Sequence, residues 1–179
     1  MPLAMRVGAG EEARERFERL LRPELDHAYQ LAGYLLGHAT EAEDAAGEAV
    51  ARAWTRFEGL RDEDRFGPWL TRIVVNVCRD RLRRRRISPF VPLGEAEGLA
   101  AAQSAGDPFA AALASDAIGR ALLRLGPDQR AVVVLHYWND RSVAEIAGIL
   151  GIPSGTVKWR LRAACRRMRP ELEREDAGR

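Results

Sequence analysis

The chain is 179 residues long, 46% hydrophobic and 30% charged, with a formal net charge of +2. That length admits one or two small domains with packed cores, and no apolar run approaches the roughly 18 residues a membrane-spanning helix needs. The opening stretch MPLAMRVGAGEEARERF has no apolar centre of the signal-peptide kind and turns acidic at once, so no membrane insertion and a cytoplasmic location are expected.

The small net charge hides a segregation. Residues 1–64 sum to −6, 65–86 to +7, 87–114 to −3 and 115–179 to +4. Two basic segments flanking an acidic one suggest two separate contacts with a polyanion. Cys78 and Cys165 occur singly within helical patterns, and His27, His38 and His136 are scattered. No metal or cofactor is implied, and the thiols read as ordinary buried or half-exposed side chains.

In residues 11–37, Phe17, Leu20, Leu21, Leu25, Ala28, Leu31, Ala32 and Leu35 recur at spacings of three and four, which predicts helix. Pro23 predicts a kink or short break, and Gly37 a stop. Thr40 with Glu43 reads as a capping box that opens a helix to about Phe57, its acidic first turn suiting the positive end of the dipole. Glu41, Glu43, Asp44 and Glu48 either cap and solvate that helix or form a surface for a basic protein partner. After a polar loop from Gly59 to Gly67, Pro68 opens a helix to Arg86. Leu70, Ile73, Val74, Val77 and Arg81 share one side of it. Arg72, Asn76, Arg79 and Arg83 form the opposite stripe. An amide among guanidinium groups suits nucleic acid, because the amide bonds base edges while the cations hold phosphates. Within the segment only Asp80 offsets eight cations, which disfavours a merely solvated face.

Residues 87–114, rich in Pro, Gly, Ala and Ser, read as a mobile interdomain linker with a short helical turn near Phe109. Helical spacing resumes from Ser115 through Ile118, Ala121, Leu122 and Leu125, and stops at Gly126. Pro127 then opens RAVVVLHYW, a strand by propensity but a helix for want of any strand to pair with. Asn139 to Arg141 form a turn. Ser142 and Glu145 make a capping box, and Val143, Ile146, Ala147 and Leu150 a helical stripe ended by Gly151 and Pro153. Ser154 caps a second helix with Val157, Leu161, Ala164 and Met168 inward. Its outward side carries Trp159, Arg162, Ala163 and Arg166, and no acid lies between Thr156 and Arg169. Two short helices across a tight turn make a helix-turn-helix, whose second helix enters the major groove. The acidic tail beyond Pro170 reads as frayed. The fold class is all-α: two small helical domains, 11–86 and 115–170, joined by the linker.

Three stretches in this order resemble the extracytoplasmic-function (ECF) group of bacterial RNA polymerase sigma factors. They are AEDAAGEAVARAW (Ala42 to Trp54), FGPWLTRIVVNVCRDRLRRRR (Phe66 to Arg86), and EIAGILGIPSGTVKWRL (Glu145 to Leu161) with RAVVVLHY before it. The resemblance implies an alternative sigma factor, not an enzyme. Its N-terminal domain would grip the clamp helices of the largest subunit of core RNA polymerase and melt the minus-10 element. Its C-terminal domain would read the minus-35 element of promoter DNA as duplex. An anti-sigma factor would hold the free protein inactive. Carried over by position, Glu43, Asp44 and Glu48 fall on the core-docking surface. Phe66, Trp69, Arg72, Asn76, Arg79 and Arg83 fall where the minus-10 strand is handled, although large aromatics are usually buried, which favours core packing for Trp69. Ser142, Thr156, Lys158, Trp159, Arg160, Arg162 and Arg166 fall at the minus-35 groove. The chain departs from the family pattern at Gly47, where glutamine is usual, at Trp159, where serine is usual, and at Ala163 and Cys165, where arginine is usual. The competing reading is a stand-alone helix-turn-helix repressor or activator, which leaves the first 86 residues without a role and has no heptad seam for a dimer. No phosphate loop, catalytic carboxylate pair or nucleophile-base pair supports an enzyme, and no small-molecule substrate is implied.

Overall fold

The computed structural model describes residues 3–87, 108–115 and 117–176, and among them the chain is helical with no strand. Most of the predicted linker, 88–107, lies outside the described residues. Helix α1 (Leu3–Leu21) runs into a 3-10 turn at Arg22–Glu24 that carries Pro23 in its first turn, and α2 (Leu25–Leu36) continues from it. The missing N–H of proline thus breaks one long helical pattern into two.

Gly37 ends α2 at φ 83°, its N–H bonding the Gly33 carbonyl at 2.7 Å. Only glycine takes that left-handed conformation without strain. The reversal is so abrupt that His38 already stands at the N-cap of α3 (Ala39–Trp54). Thr40 therefore lies inside the first turn, and the predicted Thr40–Glu43 capping box does not form. The helix also ends three residues before Phe57, whose ring turns into the core from a 3-10 turn at Phe57–Gly59.

Asp62 caps a further 3-10 turn (Glu63–Arg65) by accepting from the Asp64 N–H, and α4 (Phe66–Ile87) starts two residues ahead of Pro68. Phe17, Phe57 and Phe66 meet edge to face, with centroids 5.1–6.2 Å apart, and close one end of the bundle. Towards the core it shares with α2 and α4, α3 presents Ala42, Ala45, Ala46, Ala49 and Ala53, all buried. A methyl-sized face lets both helices approach closely.

The C-terminal unit comprises α5 (Pro108–Ser115), α6 (Ala117–Leu123), α7 (Pro127–Val133), α8 (Val143–Leu150) and α9 (Ser154–Asp176). The stretch VLHYW is helical, as the lack of a partner strand predicted, but it is wound as a π-turn over Val134–Trp138. The Asn139 N–H reaches back to the Val134 carbonyl at 3.1 Å. Helix α9 passes through Pro170 to Asp176 rather than fraying. Glu171 beyond the proline is buried and pairs with Arg120 (3.1 Å) and Arg124 (2.6 Å), strapping α9 to α6.

The two units share one continuous buried cluster. Trp138, swung out by the π-turn, stacks on His27 (4.6 Å, 14°) and lies 5.0 Å from the Tyr34 ring, both on α2. Asn139 Nδ2 lies 3.0 Å from His27 Nε2. Its Oδ1 accepts from Arg141 at 3.2 Å, so the amide hydrogens face the imidazole and His27 Nε2 is the acceptor. Arg130, 9% exposed, donates to the carbonyls of Leu122, Leu123 and Leu125 in its own unit and to that of Leu35 at the end of α2. Burial pulls its guanidinium down to about 10.

Candidate nucleic-acid interface

The α4 stripe is divided by its surroundings. Arg72 and Arg83 are exposed, Arg83 lying 3.4 Å from Asp80. Asn76 and Arg79 are half-buried and line a hollow between α4 and the start of α7, with Pro127 and Asp128 on its far wall. Arg79 donates across the units to the Leu150 carbonyl at 3.1 Å, at the C-terminal end of α8, where orphan carbonyls and the negative end of the dipole favour a cation. Trp69 is half-buried against the core, 5.8 Å from the Phe66 ring. Phe66 is only 2% exposed. Its sequence assignment to the strand-handling set is corrected here, because its ring is enclosed by Phe17 and Phe57 and faces no surface.

The acids of α3 are nearer than the sequence indicated to the cations of α4. Glu48 holds Arg81 at 2.9 Å and Arg52 at 2.5 Å, Asp44 stands 3.9 Å from Arg81, and Glu41 pairs with Arg85. The basic segment is thus offset by more than Asp80, through contacts remote in sequence. Of the three predicted docking acids, Glu43 is exposed and Asp44 is 67% exposed, while Glu48 is committed to the α3–α4 strap. A glutamine side chain at Gly47 would meet open space, as nothing lies within 4 Å of a Cβ there.

Hydrogen bonding from Arg81 holds the Glu48 carboxyl below its ordinary range. A carboxylate lowered on folding stabilises the fold above its unfolded value, and that contribution is lost as pH falls through the lowered one. Glu48→Gln is therefore expected to flatten the acid limb of a stability-versus-pH curve. An acid limb identical to wild type would remove the strap from the account.

In the C-terminal unit the helix-turn-helix is α8 and α9, joined at Gly151 (φ 65°). Both halves of the Ser142–Glu145 capping box are formed, so the Ser142 hydroxyl, although exposed, is committed to the start of α8. On α9, Val157, Leu161, Ala164 and Met168 are buried and Thr156 is half-buried. Lys158, Trp159, Arg162 and Arg166 are exposed. Arg160 is the exception among the cations: its side chain is 18% exposed and pairs with Asp128 of α7 at 2.9 Å. A guanidinium held in that way serves the packing of α9 on α7 and is not offered to a groove in this arrangement. The free set on one side of α9 is therefore Lys158, Trp159, Arg162 and Arg166.

Cys78 is buried and its thiol is pushed up to about 12, chiefly by burial, which makes it inert. Cys165 is exposed, 3.9 Å from the Tyr137 hydroxyl. Sequence reasoning missed His27, Tyr34, Arg130, Trp138 and Asn139, which join the units. The one available signal was Arg130, a charge heading an otherwise apolar run.

Two family models match the chain, sigma-70 region 2 over residues 20–87 and sigma-70 region 4 over residues 115–168. The ECF RNA polymerase sigma factor SigM of Mycobacterium tuberculosis is 35% identical over 161 residues, covering 90% of this chain and 77% of that protein. The chain belongs to the ECF sigma factor family. The sigma factor is also similar to SigL of M. tuberculosis (36% identity, 94% of this chain and 96% of that one) and to SigW of Bacillus subtilis (35%, 82% and 83%). Among solved structures, the fold matches the sigma factor RpoE of Bartonella quintana, crystallised with the anti-sigma factor NepR, at a TM-score of 0.65 (22% identity, 88% and 96% coverage). It also matches CnrH in complex with the cytosolic domain of CnrY, at 0.60 (24% identity, 94% and 96% coverage). The comparisons give the stand-alone repressor no support. Among the described residues, no helix is long and apolar enough to cross a membrane.

Proposed function

We propose that this alternative sigma factor docks on core RNA polymerase through Glu43, Asp44 and the neighbouring surface of α3. In this reading Arg72, Asn76, Arg79 and Arg83 handle the minus-10 strand, and Lys158, Trp159, Arg162 and Arg166 enter the minus-35 groove. It directs polymerase to promoters and catalyses no reaction of its own. The observation that carries this reading is the outward face of α9: three exposed cations, without an ion pair among the described residues, and a tryptophan on the second helix of a helix-turn-helix.

Recognition of both elements requires the molecule to open. Elements centred about 25 base pairs apart lie about 85 Å apart along duplex at ~3.4 Å per base pair. A compact chain of this length has a radius of gyration of about 16 Å. The closed arrangement therefore cannot reach both, and it also spends Arg79 on the Leu150 carbonyl. Extended chain of the length of 88–107 reaches up to about 70 Å, which covers most of the difference. An anti-sigma factor fits as the partner that holds the closed form. An open hollow of about 610 Å³ crosses from Tyr34 to the C-terminal unit, and its walls include the exposed apolar side chains of Ile118 and Tyr137.

The test is reconstituted transcription. Purified protein with core polymerase should start transcripts at discrete promoters and protect both elements, while the protein alone binds the same DNA weakly. Arg162→Ala should reduce the slope of log affinity against log salt by about 1. Tight binding to a palindromic duplex without polymerase would overturn the reading.

A further inference from the structure

The sequence has four tryptophans, and three of them are engaged. Trp54 packs on Phe17 at 5.2 Å, Trp69 on Phe66 at 5.8 Å and Trp138 on His27 at 4.6 Å. Trp159 is 61% exposed, and among the described residues no ring contact or hydrogen bond holds its indole. An indole left in water forgoes the largest burial gain of any side chain, so an exposed one on a functional face calls for a partner.

Its place on α9 narrows what that partner is. Trp159 lies about 180° round the helix from the buried stripe of Val157, Leu161, Ala164 and Met168, so it projects from the centre of the outward face. One turn before it stands Gly155, where a Cβ would have open space, and one turn after it Ala163. The indole therefore sits over a bare stretch of backbone that lets the helix approach closely. Cations border this apolar plate, with Lys158 and Arg162 exposed beside it and Arg166 two turns on. A major groove presents hydrogen-bonding edges of all four bases but only one apolar group, the C5-methyl of thymine.

We infer that Trp159 is a specificity-determining residue that reads thymine in the minus-35 duplex by packing its indole on the C5-methyl group. Lys158 and Arg162 hold the adjoining phosphates or guanine edges. The inference rests on the proposed use of α9 at the minus-35 element and adds the base class that it selects.

The experiment uses holoenzyme reconstituted from full-length protein and core polymerase, on a promoter found in the transcription assay. Each thymine of the protected upstream element is replaced by deoxyuridine, which removes the methyl group and leaves pairing intact. At one or two positions the substitution should weaken wild-type holoenzyme about four-fold, the equivalent of one buried methylene at ~0.8 kcal/mol. Trp159→Ser should bind more weakly overall and show no difference between thymine and deoxyuridine, with an unchanged thermal midpoint because the side chain is exposed. Arg162→Ala should keep the thymine preference while its salt slope falls by about 1. Protection of the upstream element with no response to deoxyuridine, or a response that survives in Trp159→Ser, overturns the inference and leaves the sigma-factor reading standing. Absence of any upstream protection overturns both.

Discussion

Phe66→Ala is expected to destabilise the N-terminal unit by about 3–5 kcal/mol, the range for deleting a fully buried phenyl ring. Phe66 is 2% exposed, and its ring lies 5.7 Å from Phe17 and 6.2 Å from Phe57, edge-on to both. The loss combines transfer of the ring, the cavity left behind and two aromatic contacts. The residues around it cannot collapse easily, because Phe17 and Phe57 brace each other at 5.1 Å. Total stabilities run to about 5–15 kcal/mol, so the variant should lie close to its unfolding threshold, with a thermal midpoint lowered by roughly 10 °C or more. Phe66→Leu separates this role from a role at the strand. It fills most of the cavity and should cost about 1 kcal/mol. Permanganate reactivity of the minus-10 thymines should then be normal at temperatures where the variant is folded. A folded Phe66→Leu holoenzyme that fails to open the promoter would return the ring to the DNA interface and undo the assignment to the core.

The contrast between Phe66 and Asn76 shows what the sequence could and could not reveal. Features that depend on neighbours within one turn were legible. The Ser142–Glu145 box and the Gly37 and Gly151 stops follow from short-range geometry. The identical pattern at Thr40 and Glu43 failed because Gly37 had already set the helix start, so a motif read alone lost to the turn before it. Charge was misread for a related reason. Arg81 and Arg85 counted as free cations by position, yet their partners Glu48 and Glu41 lie on another helix more than thirty residues away. Arg160 likewise counted as a groove cation, although Asp128 sits beside it in space. The contact between the two units was the least legible part. It depends on the π-turn at Val134–Trp138, and one extra residue in a helical turn leaves no mark on a periodicity while rotating Trp138 towards His27 and Tyr34.

Arg130→Met is expected to uncouple the two units. The Arg130 guanidinium donates to Leu122, Leu123 and Leu125 at 2.8–3.3 Å, and to Leu35 at 3.0 Å. These carbonyls lie at the ends of α6 and α2, where helices leave acceptors without intrahelical partners. One cation therefore caps two helices from different units and meets the negative ends of both dipoles. Two effects compete in the substitution. Methionine relieves the desolvation of a buried charge, which is the cause of the guanidinium's lowered affinity for its proton. It also strands as many as three acceptors, since the Leu122 carbonyl keeps the Leu125 N–H at 3.0 Å, each costing about 1–3 kcal/mol if it stays buried and unpaired. The second effect wins, because Nε and both terminal nitrogens are engaged and a thioether replaces none of those bonds; a net loss of about 2–4 kcal/mol follows. Arg130→Lys should recover only part of it, since an ammonium cannot span the fork. With the Leu35 link gone, Trp138, the Asn139–His27 bond and Arg79 are left to hold the closed form. A single calorimetric transition should then split into two, and the radius of gyration from small-angle scattering should rise. Because closure holds the promoter-binding faces too close together to span both elements, holoenzyme carrying Arg130→Met should also protect both elements more readily at temperatures where both units remain folded. One cooperative transition at the wild-type midpoint would show that Arg130 caps α6 alone and that the two units are held together by other contacts.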